Sequence, residues 1–137
     1  GLSRDESALA PLLGMLEQLD ERSAYSHCRA VALALESVGD RAAAKPLADL
    51  LRKPGMTGHA IRSIGEARKV FGTGDRRSVK ELNERLRELV LARALHRCGD
   101  WQDLGKKILE EYRQDLCGHF ARHADAILQA PRARRQP

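Results

Sequence analysis

The sequence predicts an all-α fold of about seven helices, stacked side by side as antiparallel pairs. Three observations carry this. Almost every segment repeats its apolar residues at the helical period, and none alternates as a strand does. The chain is 42 % hydrophobic but only 4 % aromatic, with many alanines, so helices can approach closely along small-residue stripes. Finally, one phrase occurs twice, sixty residues apart: Ala32-Leu33-Ala34-Leu35-Glu36-Ser37-Val38-Gly39-Asp40 returns as Ala92-Arg93-Ala94-Leu95-His96-Arg97-Cys98-Gly99-Asp100. Each copy is a helix, a Gly-Asp turn and a second helix, which is the mark of a repeat architecture.

The elements follow in order. Leu9, Leu12, Leu13, Leu16 and Leu19 share one face and predict a helix over 7–20, with a capping box at Ser3 and Glu6 just upstream. Ser23 is placed to cap a helix over 24–38 whose inner face is Cys28, Val31, Ala32, Leu35 and Val38. Gly39 ends it, because glycine accepts the left-handed conformation that closes helices. Asp40 then caps a helix over 41–53 with Leu47, Leu50 and Leu51 inward. Pro46 is awkward there, since an interior proline removes a hydrogen bond and clashes with the preceding turn.

Lys53-Pro54-Gly55 breaks the chain, and Thr57 is placed to cap a helix over 58–71 with Ala60, Ile61, Ile64 and Ala67 inward. Phe71-Gly72-Thr73-Gly74-Asp75 reads as a turn, and the segment Phe71–Ser78 as the loosest in the chain. A long helix over 77–98 follows. Its inner stripe is Val79, Leu82, Leu86, Leu89, Val90, Ala94 and Leu95, with Glu81, Glu84, Arg85, Arg87 and Glu88 on the opposite face. Asp100 caps a helix over 101–113 with Leu104, Ile108, Leu109 and Tyr112 inward. Asp115 starts the last helix, over 116–130, with Phe120, Ala124, Ile127 and Leu128 inward.

A chain of 137 residues suits one domain, here 1–130, followed by a basic tail over 131–137. Arg132, Arg134 and Arg135 of that tail supply more than half of the net charge of +5. The opening residue is Gly1, which reads as an excised piece of a larger protein. No run approaches the ~18 apolar residues of a membrane helix, so no membrane partner is expected. Cys28, Cys98 and Cys117 are odd in number and widely spaced. That is no disulfide framework, and it fits a reducing compartment such as the cytoplasm.

The stretch Arg29–Asp40, with Ala44, Pro46, Leu47 and Leu50-Leu51, resembles the alanine-rich bacterial type of HEAT-like repeat, and residues 89–112 match it again with one residue inserted. Residues 56–88 depart from the pattern. A second likeness spans about residues 25–130 and rests on three runs: Lys53-Pro54-Gly55-Met56-Thr57-Gly58-His59-Ala60, Arg87–Asp100, and Leu116-Cys117-Gly118-His119-Phe120-Ala121-Arg122-His123-Ala124. These look like the C-terminal helical region of some bacterial FAD-dependent oxidoreductases. The resemblance implies an accessory domain, with any FAD bound by an upstream part of the parent protein.

Within the chain itself no cofactor fingerprint is found. Gly72-Thr73-Gly74 lacks the third glycine and the strand that a dinucleotide motif requires, so that backbone amides can approach a pyrophosphate. His119 and His123 stand four apart on one helix face, near Cys117, but no Glu follows the first His and no second ligand cluster is evident. No nucleophile elbow is present. The expectation is therefore no catalytic, metal or cofactor residues.

The interaction candidates are His59, Trp101, His119, Arg122 and His123. Trp101 is an anchor if exposed, since aromatics dominate many interfaces. The Gly58-His59 and Gly118-His119 pairs read as helix-start caps or contacts with the upstream domain. The expected function is a non-catalytic scaffold that docks an upstream domain or another protein. The alternative is a nucleic-acid-binding repeat using Arg62, Arg68, Lys69, Arg76, Arg77 and Lys80, although aromatic platforms for bases are scarce.

Overall fold

The computed structural model describes residues 4–71 and 75–130, with side chains described for 8–69 and 79–130. Among these residues the fold is all-α. It comprises α1 (Arg4–Glu17), α2 (Tyr25–Val38), a 3-10 turn (Arg41–Ala43), α3 (Ala44–Leu51), α4 (Ile64–Phe71), α5 (Asp75–Arg97), α6 (Leu104–Arg113) and α7 (Gly118–Gln129). No helix in the described residues is long and apolar enough to cross a membrane. The Ser3 cap, residues 72–74 of the expected loose loop and the tail over 131–137 lie outside the described residues. Asp75–Ser78 belong to α5 rather than to a loop.

The 23 residues of α5 make it the axis of the molecule. It packs on α2, α3, α4, α6 and α7, while α1 closes the far side of α2 and α3. Its C-terminal half supplies Leu89, Leu91, Ala92, Ala94 and Leu95, and the turn after it Cys98, to a single core shared with Leu35, Leu47, Leu51, Leu109 and Phe120. Each such leucine removed from water contributes about 1.5–3 kcal/mol. Gly105 lets α6 approach α5 closely, because a Cβ there would stand 3.0 Å from the Ala92 carbonyl oxygen.

The two Gly-Asp turns stand side by side. Cys98 Sγ donates to the Leu35 carbonyl at 3.5 Å, and Arg52 Nη2 donates to Gln102 Oε1 at 2.7 Å. Both glycines have positive φ, +68° at Gly39 and +106° at Gly99. The closures nonetheless differ. Gly39 N–H returns to the Leu35 carbonyl, a single left-handed cap. At the second turn Gly99 N–H bonds the His96 carbonyl and Asp100 N–H the Leu95 carbonyl, the paired bonds of a Schellman motif. Asp40 accepts from Ala42 N–H. Asp100 reaches further and accepts from Trp101, Gly105 and Lys106 N–H groups, so it caps α6 from outside, and residues 101–103 are not helical.

Several expectations are corrected. Residues 58–63 are not helical, and α4 begins only at Ile64. The reason is competition for backbone donors: Glu88 takes the N–H groups of Gly58 and His59, and Asp115 takes that of Ile61. Ser63, not Thr57, caps α4, accepting from Glu66 N–H at 3.1 Å while Glu66 accepts from Arg62 N–H. Ser23 does not cap α2, because its hydroxyl accepts from Asp20 N–H. Asp115 lies in the turn before α7, which starts at Gly118. Pro46 is not in a helix interior: the 3-10 turn delays α3, so Pro46 falls in the first turn, where no helical partner is lost. On α5 the expected faces fail toward the N-terminus. Val79 and Leu82 are exposed, and Arg85, Arg87 and Glu88 are buried. At 23 residues α5 outruns α2, which has 14, so its first turns meet other surroundings than its last.

Candidate functional site

Three charged side chains within one turn of α5, Arg85, Arg87 and Glu88, are buried; Arg87 and Glu88 hold the irregular segment 55–61 against the helix directly, and Arg85 does so through Asp115. The Glu88 carboxylate is fully enclosed. Its Oε2 accepts from Gly58 N–H at 3.1 Å, and its Oε1 accepts from His59 N–H at 2.9 Å and from the Tyr112 hydroxyl at 2.8 Å. Burial pushes its pKa above the ordinary carboxylate value, and these three donors only partly offset that. Burial and the adjacent Glu88 charge push the Tyr112 phenol far up, so it stays a donor.

A second node lies one turn away. Asp115 Oδ2 accepts from Ile61 N–H at 2.9 Å, and its Oδ1 accepts from Cys117 N–H at 2.8 Å and from Arg85 Nη2. The Arg85 guanidinium sits 4.6 Å over the Phe120 ring, which meets Tyr112 edge-on at 6.3 Å. Arg87 Nη1 donates to the Glu21 carbonyl and Nη2 to the Gly55 carbonyl, tying the α1–α2 turn to the same segment. Every acceptor oxygen here is occupied by the fold, which is what makes buried charge tolerable.

Of the residues singled out by sequence, His59 belongs to this structure. Its backbone N–H serves Glu88, and its Nε2–H donates to the Gly55 carbonyl at 2.8 Å. Trp101 is half-buried against the core, with its N–H on Asp100, and is not a free-standing anchor. His119 and Arg122 are exposed on α7.

His123 joins a cluster between α2, α5 and α7. Glu36 takes Arg93 side-on, Nε to Oε1 and Nη2 to Oε2 both at 2.9 Å, and Arg97 Nη1 at 3.1 Å. The remaining Arg93 Nη1 faces His123 Nε2 at 3.4 Å. Since arginine only donates, that nitrogen accepts and the proton sits on Nδ1. Burial, then Arg93, His119 and Arg97, hold the His123 pKa below its usual value.

These arrangements can position and dock. Among the described residues no three His, Cys, Asp or Glu side chains converge on a point suited to a metal ion. The exposed large apolar side chains among the described residues are Met15, Ile64, Val79, Leu82 and Leu116. The Leu116 N–H bonds the Ile61 carbonyl, which sets the α6–α7 turn beside the approach to α4. The side chains that sequence reasoning missed are Arg85, Arg87, Glu88 and Asp115. One signal was present: stepping back along α5 from the buried Leu95, Ala92 and Leu91 by three or four residues lands on Glu88 and then Arg85.

No protein-family profile, curated protein or solved structure matches the chain.

Proposed function

We propose that this chain is a non-catalytic helical interaction domain, built on the HEAT-like plan and serving as an accessory part of a larger protein. The observation that carries this is how the polar and apolar side chains are divided. The inward-facing carboxylates and arginines, Glu88, Asp115, Arg87, Arg93 and Glu36, are consumed by backbone groups and by each other. Large apolar side chains stand out instead on α4, on the first half of α5 and on the α6–α7 turn, with Ile64 at 66 % and Leu116 at 52 % exposure. Exposed apolar surface on a rigid frame favours a protein partner. The adjacent Gly-Asp turns support the repeat reading, since stacked repeats bring equivalent turns together.

In this reading the partner is the upstream domain of the same protein, and the sequence likeness makes a FAD-dependent oxidoreductase the working identity of that parent. The test is hydrogen–deuterium exchange of the isolated domain and of a longer protein that contains it. Docking predicts slower exchange in peptides covering 64–71, 79–84 and 114–118. Unchanged exchange in all three would overturn it. Slower exchange on adding duplex DNA or RNA, lost at raised salt, would favour the nucleic-acid reading instead.

A further inference from the structure

Of the exposed apolar side chains, Ile64 and Leu116 emerge from one joint. The Ile61 carbonyl accepts from Leu116 N–H at 2.8 Å, and Ile61 N–H donates to Asp115 Oδ2 at 2.9 Å. Asp115 is itself pinned to Arg85. Ile64 opens α4 three residues beyond Ile61, so the chain keeps it within about 11 Å of the joint. Both side chains therefore ride on one fixed piece of backbone, which lowers the entropy lost when a partner covers them.

The charges around this joint are of one sign. Over residues 61–69 and 116–122, Arg62, Arg68, Lys69 and Arg122 face a single carboxylate, Glu66. That carboxylate is spent on the start of its own helix, where its Oε1 accepts from Arg62 N–H at 3.0 Å. The four cations are exposed and make no ion pair among the described residues. Two of them are placed by the helices. Arg68 follows Ile64 by one turn on the same face of α4. Arg122 folds back over the start of α7: a Cβ built on Gly118 would stand 2.9 Å from its Nη1, which brings the guanidinium to within two residues of Leu116.

The other exposed apolar pair has a different setting. Val79 and Leu82 share the first half of α5 with Glu81 and Glu84, and Glu81 is held above its usual pKa by burial first and then by Glu84. Negative charge is already crowded there, so an acidic partner is repelled from that end and accepted at the Ile64–Leu116 joint. A nucleic acid would use the cations but leave the two apolar side chains without a role, and the nearby aromatic, Phe120, is buried and offers no platform for a base.

We propose that the surface around Ile64 and Leu116 receives an acidic amphipathic segment of the protein partner, its apolar side chains against these two residues and its carboxylates on Arg62, Arg68, Lys69 and Arg122. The proposal rests on the docking reading above and names the chemistry of what docks.

The test is ¹H–¹⁵N NMR on the full chain with three helical peptides of equal length. All carry the same leucine stripe, and their remaining positions are Glu in one, Gln in the second and Lys in the third. The Glu peptide is expected to bind at least several-fold more tightly than the Gln peptide, to shift the Ile64, Arg68, Leu116 and Gly118 amides, and to weaken as salt is raised. The Lys peptide should leave these signals unmoved. Arg68→Glu with Arg122→Glu, both at exposed positions without ion pairs, should weaken the Glu peptide by about tenfold or more. The proposal is overturned if the Gln or Lys peptide binds as tightly as the Glu peptide, if the shifts fall elsewhere, if the double variant keeps full affinity, or if a DNA duplex moves the same signals at lower concentration. Such a failure leaves the docking reading standing where exchange in the longer protein slows over 64–71 and 114–118. Unchanged exchange with a selective Glu peptide would instead keep this surface and assign it to a separate protein.

Discussion

The side chain of Arg41 lies across Gly99: a Cβ built on Gly99 would stand 3.2 Å from Arg41 Cγ. Arg41 follows the first Gly-Asp turn and Gly99 begins the second, so this contact joins the two copies of the repeated phrase. It also explains why glycine occupies the second turn on two separate counts, its φ of +106° and the side chain that covers it.

Gly99→Ala should therefore destabilise the domain by more than 1 kcal/mol, about the ceiling of the gain expected when alanine replaces glycine at a compatible site. Gly39→Ala shares the positive φ but meets nothing closer than 3.7 Å, and should cost less. Urea denaturation of both variants checks the order. Equal costs would show that the Arg41 contact contributes nothing.

Leu35 and Leu95 occupy matching places in the repeated phrase, and both are fully buried. Each Leu→Ala change should cost about 2–5 kcal/mol, because the packed core cannot collapse fully into the space left. Leu82→Ala, on an exposed part of α5, should stay within about 0.5 kcal/mol. A loss below that limit at either Leu35 or Leu95 would break the equivalence.

The two aspartates that follow the glycines predict unequal capping. Asp40 accepts one backbone N–H and Asp100 three, with His96 Nδ1 also 3.4 Å from Asp100. Burial alone would raise the Asp100 pKa. The His96 contact and the Gly105, Trp101 and Lys106 N–H groups outweigh it and hold the carboxyl below its usual 3.8. Asp40→Ala should cost about 1 kcal/mol and Asp100→Ala roughly 2 kcal/mol or more. The Asp100 advantage is complete above pH 3.8 and is lost as pH falls through the lower folded-state value. A D100A deficit that persists unchanged into strong acid would refute the assignment.

The helices were legible in the sequence because their apolar stripes are long and regular, as in Cys28, Val31, Ala32 and Leu35. What misled was local reading of residues whose partners are distant in sequence. Ala60 and Ile61 are buried as expected, but in a non-helical segment, since the acceptors that hold its backbone sit 29–54 residues away at Glu88 and Asp115. Likewise, Arg85 and Glu88 carry charges that pattern rules assign to solvent. Only the fold reveals that backbone donors, Tyr112 and Asp115 are waiting for them. Of the interaction candidates, His119 and Arg122 are exposed as surface contacts must be. His59 and Trp101 serve the fold.

His123 should titrate below 6.5, because burial and the neighbouring Arg93, His119 and Arg97 disfavour its charged form. The unfolded chain then binds this proton more readily than the folded one. Its contribution to stability is intact above pH 6.5 and is lost as pH falls from there through the folded-state value. The C2–H resonance of His123 followed by NMR gives the midpoint. Arg93→Gln removes one of the depressing charges and should move the midpoint upward. A midpoint at or above 6.5 in the unmodified protein would contradict the described Arg93–His123 geometry.

Glu88 gives the opposite sign of proton linkage for a carboxylate. Burial raises its pKa above 4.5, so the folded state holds the proton more tightly than the unfolded chain does. Stability contributed by this site is therefore greatest below 4.5 and declines as pH rises through the folded-state value. Glu88→Gln cannot ionise. It keeps one acceptor oxygen for the Tyr112 hydroxyl or the loop amides, but turns an N–H₂ group toward donors that need an acceptor. It should accordingly be less stable than the unmodified protein throughout, by a margin that narrows between pH 4.5 and neutrality. Tyr112→Phe, which deletes a donor to the same carboxylate, should cost about 1–3 kcal/mol at neutral pH and less in acid, where the carboxyl is protonated and wants fewer donors. Chemical denaturation of all three proteins across this range tests both statements together. A gap between the unmodified protein and Glu88→Gln that does not change with pH would mean that Glu88 titrates normally and that its burial carries no cost.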